Sequence, residues 1–174
     1  MGKRTTYLGI LVLLLFTNCT EDKELSSIDP VNWNKRTTHL NQADSLIHGQ
    51  TYLSVYSQIY SQTEHSRHDL TATVSMRNMN TSDTIYISKA QYFDTKGKLI
   101  RTYFEKTIFI APMETVEIVI DEDDRKGGTG ANFLFDWQIE AGVIEPYFEG
   151  VMISTTGQQG LSFTTQGKRI GLAD

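Results

Sequence analysis

Residues 70–77 read Leu-Thr-Ala-Thr-Val-Ser-Met-Arg, and this stretch decides the fold. Leu70, Ala72, Val74 and Met76 alternate with Thr71, Thr73, Ser75 and Arg77. A period of two sends one set into a core and the other to solvent, as in a half-buried strand; a helix would repeat its apolar residues every three or four. The same alternation extends outward in both directions. Upstream, Leu53, Val55, Ser57 and Ile59 alternate with Tyr52, Ser54, Tyr56 and Tyr60, which predicts one strand over about 50–60. Downstream, Asn78 to Asp83 reads as a polar turn and Thr84 to Phe93 as the next strand. Asp94-Thr95-Lys96-Gly97-Lys98 then predicts a hairpin turn, with Gly97 free to take a positive φ, and Leu99 to Phe104 returns.

Thr107 to Ala111, then Pro112, then Val116, Ile118 and Ile120 place a proline between strands, outside any ladder. Phe133, Phe135, Trp137 and Ile139 share one face of a further strand, with Trp137 expected in the core. Tyr147 to Ser154, Leu161 to Thr164 and Lys168 to Leu172 supply up to three more. No helical pattern long enough for a βαβ crossover intervenes. The expectation is an all-β fold, an immunoglobulin-like antiparallel β-sandwich of about eight or nine short strands. Residues 33–48, with Leu40, Asp44 and Ile47 loosely on one side, predict at most a short helix.

Composition agrees with a folded domain. The 174 residues are 39% hydrophobic and 10% aromatic, more than a disordered chain carries. A balance of 16 basic against 21 acidic residues, −5 in all, argues against a nucleic-acid partner. Only one long apolar run is present, and it lies at the N-terminus. Lys3 and Arg4 precede an apolar stretch from Tyr7 to Phe16, too short to span a bilayer comfortably and matching a secretory signal over 1–18. It ends at Cys19, the chain's single cysteine. Phe16-Thr17-Asn18-Cys19 resembles a bacterial lipobox, in which the cysteine is acylated, although Asn18 stands where a small residue is usual. A plain secretory signal and an uncleaved helical anchor are the alternatives.

Acylation would fix the chain to the membrane through Cys19. Loss of Lys3 and Arg4 would leave 14 basic against 21 acidic residues, or −7. With the thiol spent, no disulfide supports the fold, which must rest on its core. Residues 19–49 are expected to hold the anchor, a polar flexible tether and the short helix, and 50–174 the sandwich. Thr20, in place of an aspartate after the cysteine, favours the outer membrane over the inner, on its periplasmic or its surface face.

Three candidate sites follow, each beside a plainer alternative. Glu64, His65, His68 and Asp69 offer imidazole and carboxylate to a divalent ion, but the stretch joins two strands and reads better as a solvated polar loop. Asp121 and Asp123, in an acidic run before Gly127-Gly128-Thr129-Gly130, offer oxygen ligands to calcium. The plainer account is a solvated strand end and a glycine turn leading Phe133 into the core. Tyr52, Tyr56 and Tyr60 form either an exposed partner surface or a face buried beneath the segment before residue 50. No nucleophile elbow or paired general acid stands out, no cofactor is implied, and the chain reads as a non-enzyme. The functional expectation is a lipid-anchored envelope module that binds an unidentified envelope protein or ligand or plays a structural part. A metal- or small-ligand-binding domain is the alternative.

Gln50 to Tyr60, Leu70 to Asn78, Gly127 to Leu134, Gly160-Leu161-Ser162-Phe163 and Gly167-Lys168-Arg169 resemble a bacterial family known as domain of unknown function 3124. The likeness covers about 50–172. It implies a compact bacterial envelope domain and brings no catalytic residue with it.

Overall fold

The computed structural model describes residues 31–40, 45–155 and 160–171; the signal segment, Cys19 and the stretch up to Pro30 lie outside the described residues. The chain runs through α1 (Trp33–Arg36), β1 (Ile47–Val55), β2 (Gln58–Ser61), β3 (Thr63–Asp69), β4 (Thr71–Arg77), β5 (Ile85–Phe93), β6 (Leu99–Phe104), β7 (Ile108–Ile110) and β8 (Thr115–Ile120). A 3-10 helix (Arg125–Gly130) follows, then β9 (Ala131–Ile139), β10 (Tyr147–Ser154), β11 (Leu161–Gln166) and β12 (Lys168–Gly171). One sheet has the order β12-β1-β9-β5-β6, with β7 paired to the other half of β5. The second has the order β11-β10-β4-β8, and β2 and β3 form a separate two-stranded ribbon. All pairings are antiparallel. Among the described residues no helix is long and apolar enough to cross a membrane.

The all-β sandwich is as the alternation predicts, but twelve strands among the described residues replace the expected eight or nine. Two differences account for most of this. The stretch 50–60 is not one strand: β1 stops at Val55, and Tyr56-Ser57 turns the chain out of the sheet before β2 begins. The stretch expected to be a polar loop, 64–69, lies in β3, paired with β2 across Ser61-Gln62-Thr63, where Gln62 takes a φ of 54°. Among the described residues of the stretch 33–48, where a short helix was expected, the single turn α1 is helical, and Ile47 and His48 already belong to β1; residues 41–44 lie outside the described residues. After α1 the backbone is extended, and Thr37 bridges Ile108 on the edge of β7.

The core fills the space between the sheets. β9 contributes Phe133, Phe135, Trp137 and Ile139, each fully buried, and faces Val74, Met76, Phe148 and Met152 of the opposite sheet. Burying each such side chain contributes about 1.5–3 kcal/mol. Phe135 stacks on Phe133 at 5.5 Å and on Phe148 at 4.3 Å. Trp137 lies across β1, where its indole N–H donates to Thr51 Oγ1 at 2.9 Å. The ring passes so close to Gly49 that a Cβ there would stand 2.1 Å from it.

Phase along β5 is reset by a bulge. Ile85 and Ile87 face the core, and strict alternation would send Lys89 after them. The register shifts between Ile87 and Lys89, so that Ala90 and Tyr92 turn inward. Lys89 turns outward and pairs with Asp136 at 3.3 Å. Gly167 marks the other irregularity. It is the single residue between β11 in one sheet and β12 in the other, and its N–H donates to Phe148 O at 2.8 Å. A Cβ there would meet Thr51 and Phe148 within 3 Å, so only glycine lets the chain cross.

The loops gather at the two ends of the sandwich. One end holds the β2–β3 ribbon, the 94–98 turn and the 121–130 loop; the other holds 78–84, 111–114 and 140–146.

Candidate functional site

The 121–130 loop is built around a carboxylate that the sequence reading placed in solvent. Asp124 is 0% exposed, whereas Asp121 and Asp123 are exposed as expected. Its Oδ1 accepts from the Lys126 N–H at 3.3 Å, the capping bond that an aspartate before a helical turn supplies. Its Oδ2 stands 3.5 Å from the guanidinium of Arg101 on β6, which is itself only 14% exposed. Arg101 also donates to the Tyr103 hydroxyl at 3.1 Å and lies over the Tyr103 ring.

The glycines of this loop fit around Tyr92 and Thr95. A Cβ on Gly127 would come 1.9 Å from the Tyr92 hydroxyl. Thr95 Oγ1 donates to Gly127 O at 3.0 Å, and Ser57 Oγ donates to Gly128 O at 3.3 Å. Burial pushes the Tyr92 phenol well above its ordinary range, against the opposing influence of Ser57. Its hydroxyl lies near Ser57 but has no hydrogen-bond partner of good geometry among the described residues. Burial likewise raises Tyr103, opposed by the hydrogen bond from Arg101. Both phenols therefore stay neutral at physiological pH, and the cluster acts as a lock on the loop.

The lock supports the β2–β3 ribbon. Arg125 pairs with Asp69 at 2.6 Å, Asp69 accepts from Gln58 at 2.7 Å, and the Leu70 N–H donates to Ser57 O at 2.9 Å. Beyond this base the ribbon stands in solvent: every residue from Thr63 to His68 is exposed. Tyr60, 55% exposed, carries Arg67 over its ring at 5.4 Å.

The predicted tyrosine row is dispersed. Tyr52 lies on β1 in the first sheet, 37% exposed; Tyr60 lies on the ribbon; Tyr56 sits between them, half-buried against Phe163 of β11 with ring centres 5.7 Å apart. The candidate ligands are no more closely gathered. His65 and Glu64 meet each other at 3.4 Å in open solvent, while Asp69 is engaged by Arg125. Among the described residues no three His, Cys, Asp or Glu side chains converge on a point.

At the side of the sandwich, α1 and β6 enclose a recess of about 590 Å³. Trp33, Tyr103 and Phe104 line it, and the Trp33 indole nitrogen is buried without a hydrogen-bond partner. Nothing in the local sequence announced this recess, because α1 and β6 are about 70 residues apart. At the far end, Asn78 and Asn80 are buried and bond three loops together, where a polar turn alone was expected.

No curated protein matches the chain. Among solved structures, the crystal structure of Thermotoga maritima 1070 aligns with a TM-score of 0.46 at 10% identity, covering 72% of this chain and 97% of that one. The family model described as Protein of unknown function (DUF3124) matches residues 48–170, from the start of β1 to the last strand, and the chain belongs to that family.

Proposed function

We propose that the protein is a lipid-anchored module of the bacterial cell envelope that binds another envelope component and performs no chemistry of its own. The sequence supports the anchor: a charged start, an apolar stretch and then Cys19, the chain's only cysteine. The β2–β3 ribbon carries the binding reading. It is a short pair of strands whose β3 is exposed from Thr63 to His68, fastened at its base by Asp69, Arg125 and Ser57, so its backbone is ordered before any partner arrives. Ordering of this kind lowers the entropic cost of association. Tyr60 beneath Arg67 supplies a flat amphipathic surface of the sort enriched in protein interfaces.

Two measurements test the reading. The intact mass of membrane-extracted protein should exceed the polypeptide mass by a diacylglyceryl or triacyl group, and the gain should vanish in Cys19→Ala. Tyr60→Ser should weaken capture of envelope components by the anchored protein while leaving its urea midpoint unchanged. Capture profiles that stay the same would remove the ribbon from the binding account.

A further inference from the structure

The end of the sandwich opposite the ribbon shows apolar side chains that the core does not use. Met79, Met113 and Ile144 are 46%, 67% and 53% exposed, and each tops a different loop. Exposed apolar loop tips usually invite collapse, but these are held out by a buried hydrogen-bond network. The Asn80 side chain accepts from the Ile144 N–H at 2.9 Å and donates to Ile144 O at 3.0 Å, while Asn80 O accepts from the Met113 N–H at 3.0 Å. The Asn78 side chain donates to Asp83 O at 2.7 Å and to Ile110 O at 3.0 Å. The Asn78 N–H donates to Glu114 O at 3.0 Å. Met113 is held at a φ of +59°, a left-handed conformation uncommon outside glycine.

Two consequences follow from this arrangement. The three apolar tips are presented together on a fixed backbone. Many of the polar backbone groups beneath them already have partners, so moving the tips into an apolar medium strands few of those groups.

The chain enters the described domain beside the same loops. Val31 shares a recess with Ala111 and Glu114, and Arg36 pairs with Glu114 at 2.7 Å. Between Cys19 and Val31 lie the eleven residues 20–30. Even fully extended, such a stretch reaches only about 40 Å. A lipid on Cys19 would keep this end of the domain within about 40 Å of the bilayer; with this end turned to the membrane, the β2–β3 ribbon stands about 30 Å further out, the length of a nine-residue strand.

We infer that Met79, Met113 and Ile144 form a membrane-contact surface: the three tips enter the interfacial region of the bilayer and hold the domain upright with its ribbon outward. This rests on the lipid-anchor reading. The three tips are apolar, the exposed Asp83 and Glu140 of the same loops are acidic, and the nearby Arg36 is already engaged by Glu114, so zwitterionic lipid, and not anionic lipid, is the surface this end suits.

The test uses the full chain, extracted from membranes and reconstituted into phosphatidylcholine vesicles with brominated acyl chains. Met113→Cys and Ile144→Cys carry an environment-sensitive fluorophore, and Lys96→Cys, at the opposite end, serves as the reference. Bromine should quench the labels at 113 and 144 and leave the label at 96 bright. Co-flotation of all three proteins with equal, unquenched signals overturns the inference while leaving the anchor standing. Protection of position 113 from an aqueous quencher without bromine quenching means that a second copy covers the tips, and also overturns it. The unsubstituted chain provides the separate check on the anchor: if it takes up label, Cys19 carries no lipid, and the inference falls with the anchor.

Discussion

Replacing Asp124 by Ala removes one partner of a pair that holds two distant parts of the chain together. Asp124 is fully buried and Arg101 nearly so, with their charges 3.5 Å apart. Removing one member of a buried pair takes this attraction from the charge that stays behind and costs about 3–5 kcal/mol. Arg101 keeps 14% of its surface and the Tyr103 hydroxyl, which places the cost near the low end, at about 3 kcal/mol. With an m-value of about 2 kcal/mol/M, the urea midpoint should fall by roughly 1.5 M. Urea is the denaturant to use, because guanidinium would screen the pair under study. Arg101→Met should cost a similar amount. The double variant should cost little more than either single one, since neither charge of the pair remains, giving a coupling energy of at least about 1 kcal/mol. Strictly additive losses across the cycle would refute the argument that these two charges stabilise the loop through each other. The Asp124→Ala chain should also be cleaved in the β2–β3 ribbon at lower protease concentration, since the loop carrying Arg125 is what fastens it.

Gly49→Ala should destabilise the domain by about 2–3 kcal/mol, because its Cβ would lie 2.1 Å from the buried Trp137 ring and the core has no space to yield. Gly160→Ala, whose Cβ would meet nothing closer than 3.9 Å, is the matched control and should leave the midpoint within about 0.5 kcal/mol of the parent. Equal effects at the two sites would refute the clash with Trp137 as the cause of the loss. The Glu114 carboxyl is held below its usual range by the hydrogen bond from Arg36, aided by the Ala111 N–H and opposed by partial burial. A lowered folded-state value means that its contribution is present above the ordinary glutamate range and is lost as pH falls through the folded value. Glu114→Gln should accordingly flatten the stability profile below about pH 5, as followed by urea midpoints at successive pH values.

The strands whose side chains alternate could be read directly. β9 buries every second residue, and β4 does so with one departure: Ser75, expected in solvent, is buried on the other face, where its hydroxyl donates to Glu117. Reading failed wherever the decisive partner is remote. Lys89 and Ala90 change places because of a bulge set against β9, about 45 residues away in sequence, and nothing in residues 85–93 signals it. β3 has the composition of a loop and becomes a strand only by pairing with β2 across a tight turn. The four acids at 121–124 look equivalent as text. Only Asp124 precedes the helical turn, a hint that capping preferences could have supplied. Its partner Arg101, by contrast, depends on the topology. The tyrosines at 52, 56 and 60 illustrate the same limit: regular spacing unites residues only while the strand continues, and this one stops at Val55.

The crossing at Gly167 bears on how the chain reaches its final state. β11 closes one side of the second sheet and β12 one side of the first, and the two form one continuous ribbon of chain on either side of Gly167. Until that ribbon arrives, β10 and β1 each present an unpaired row of backbone groups, the condition in which strands recruit strands from other molecules. A single segment thus withdraws two adhesive margins in one event. A chain truncated ahead of Leu161 would carry both margins permanently, whereas one truncated ahead of Gly167 would expose β1 alone.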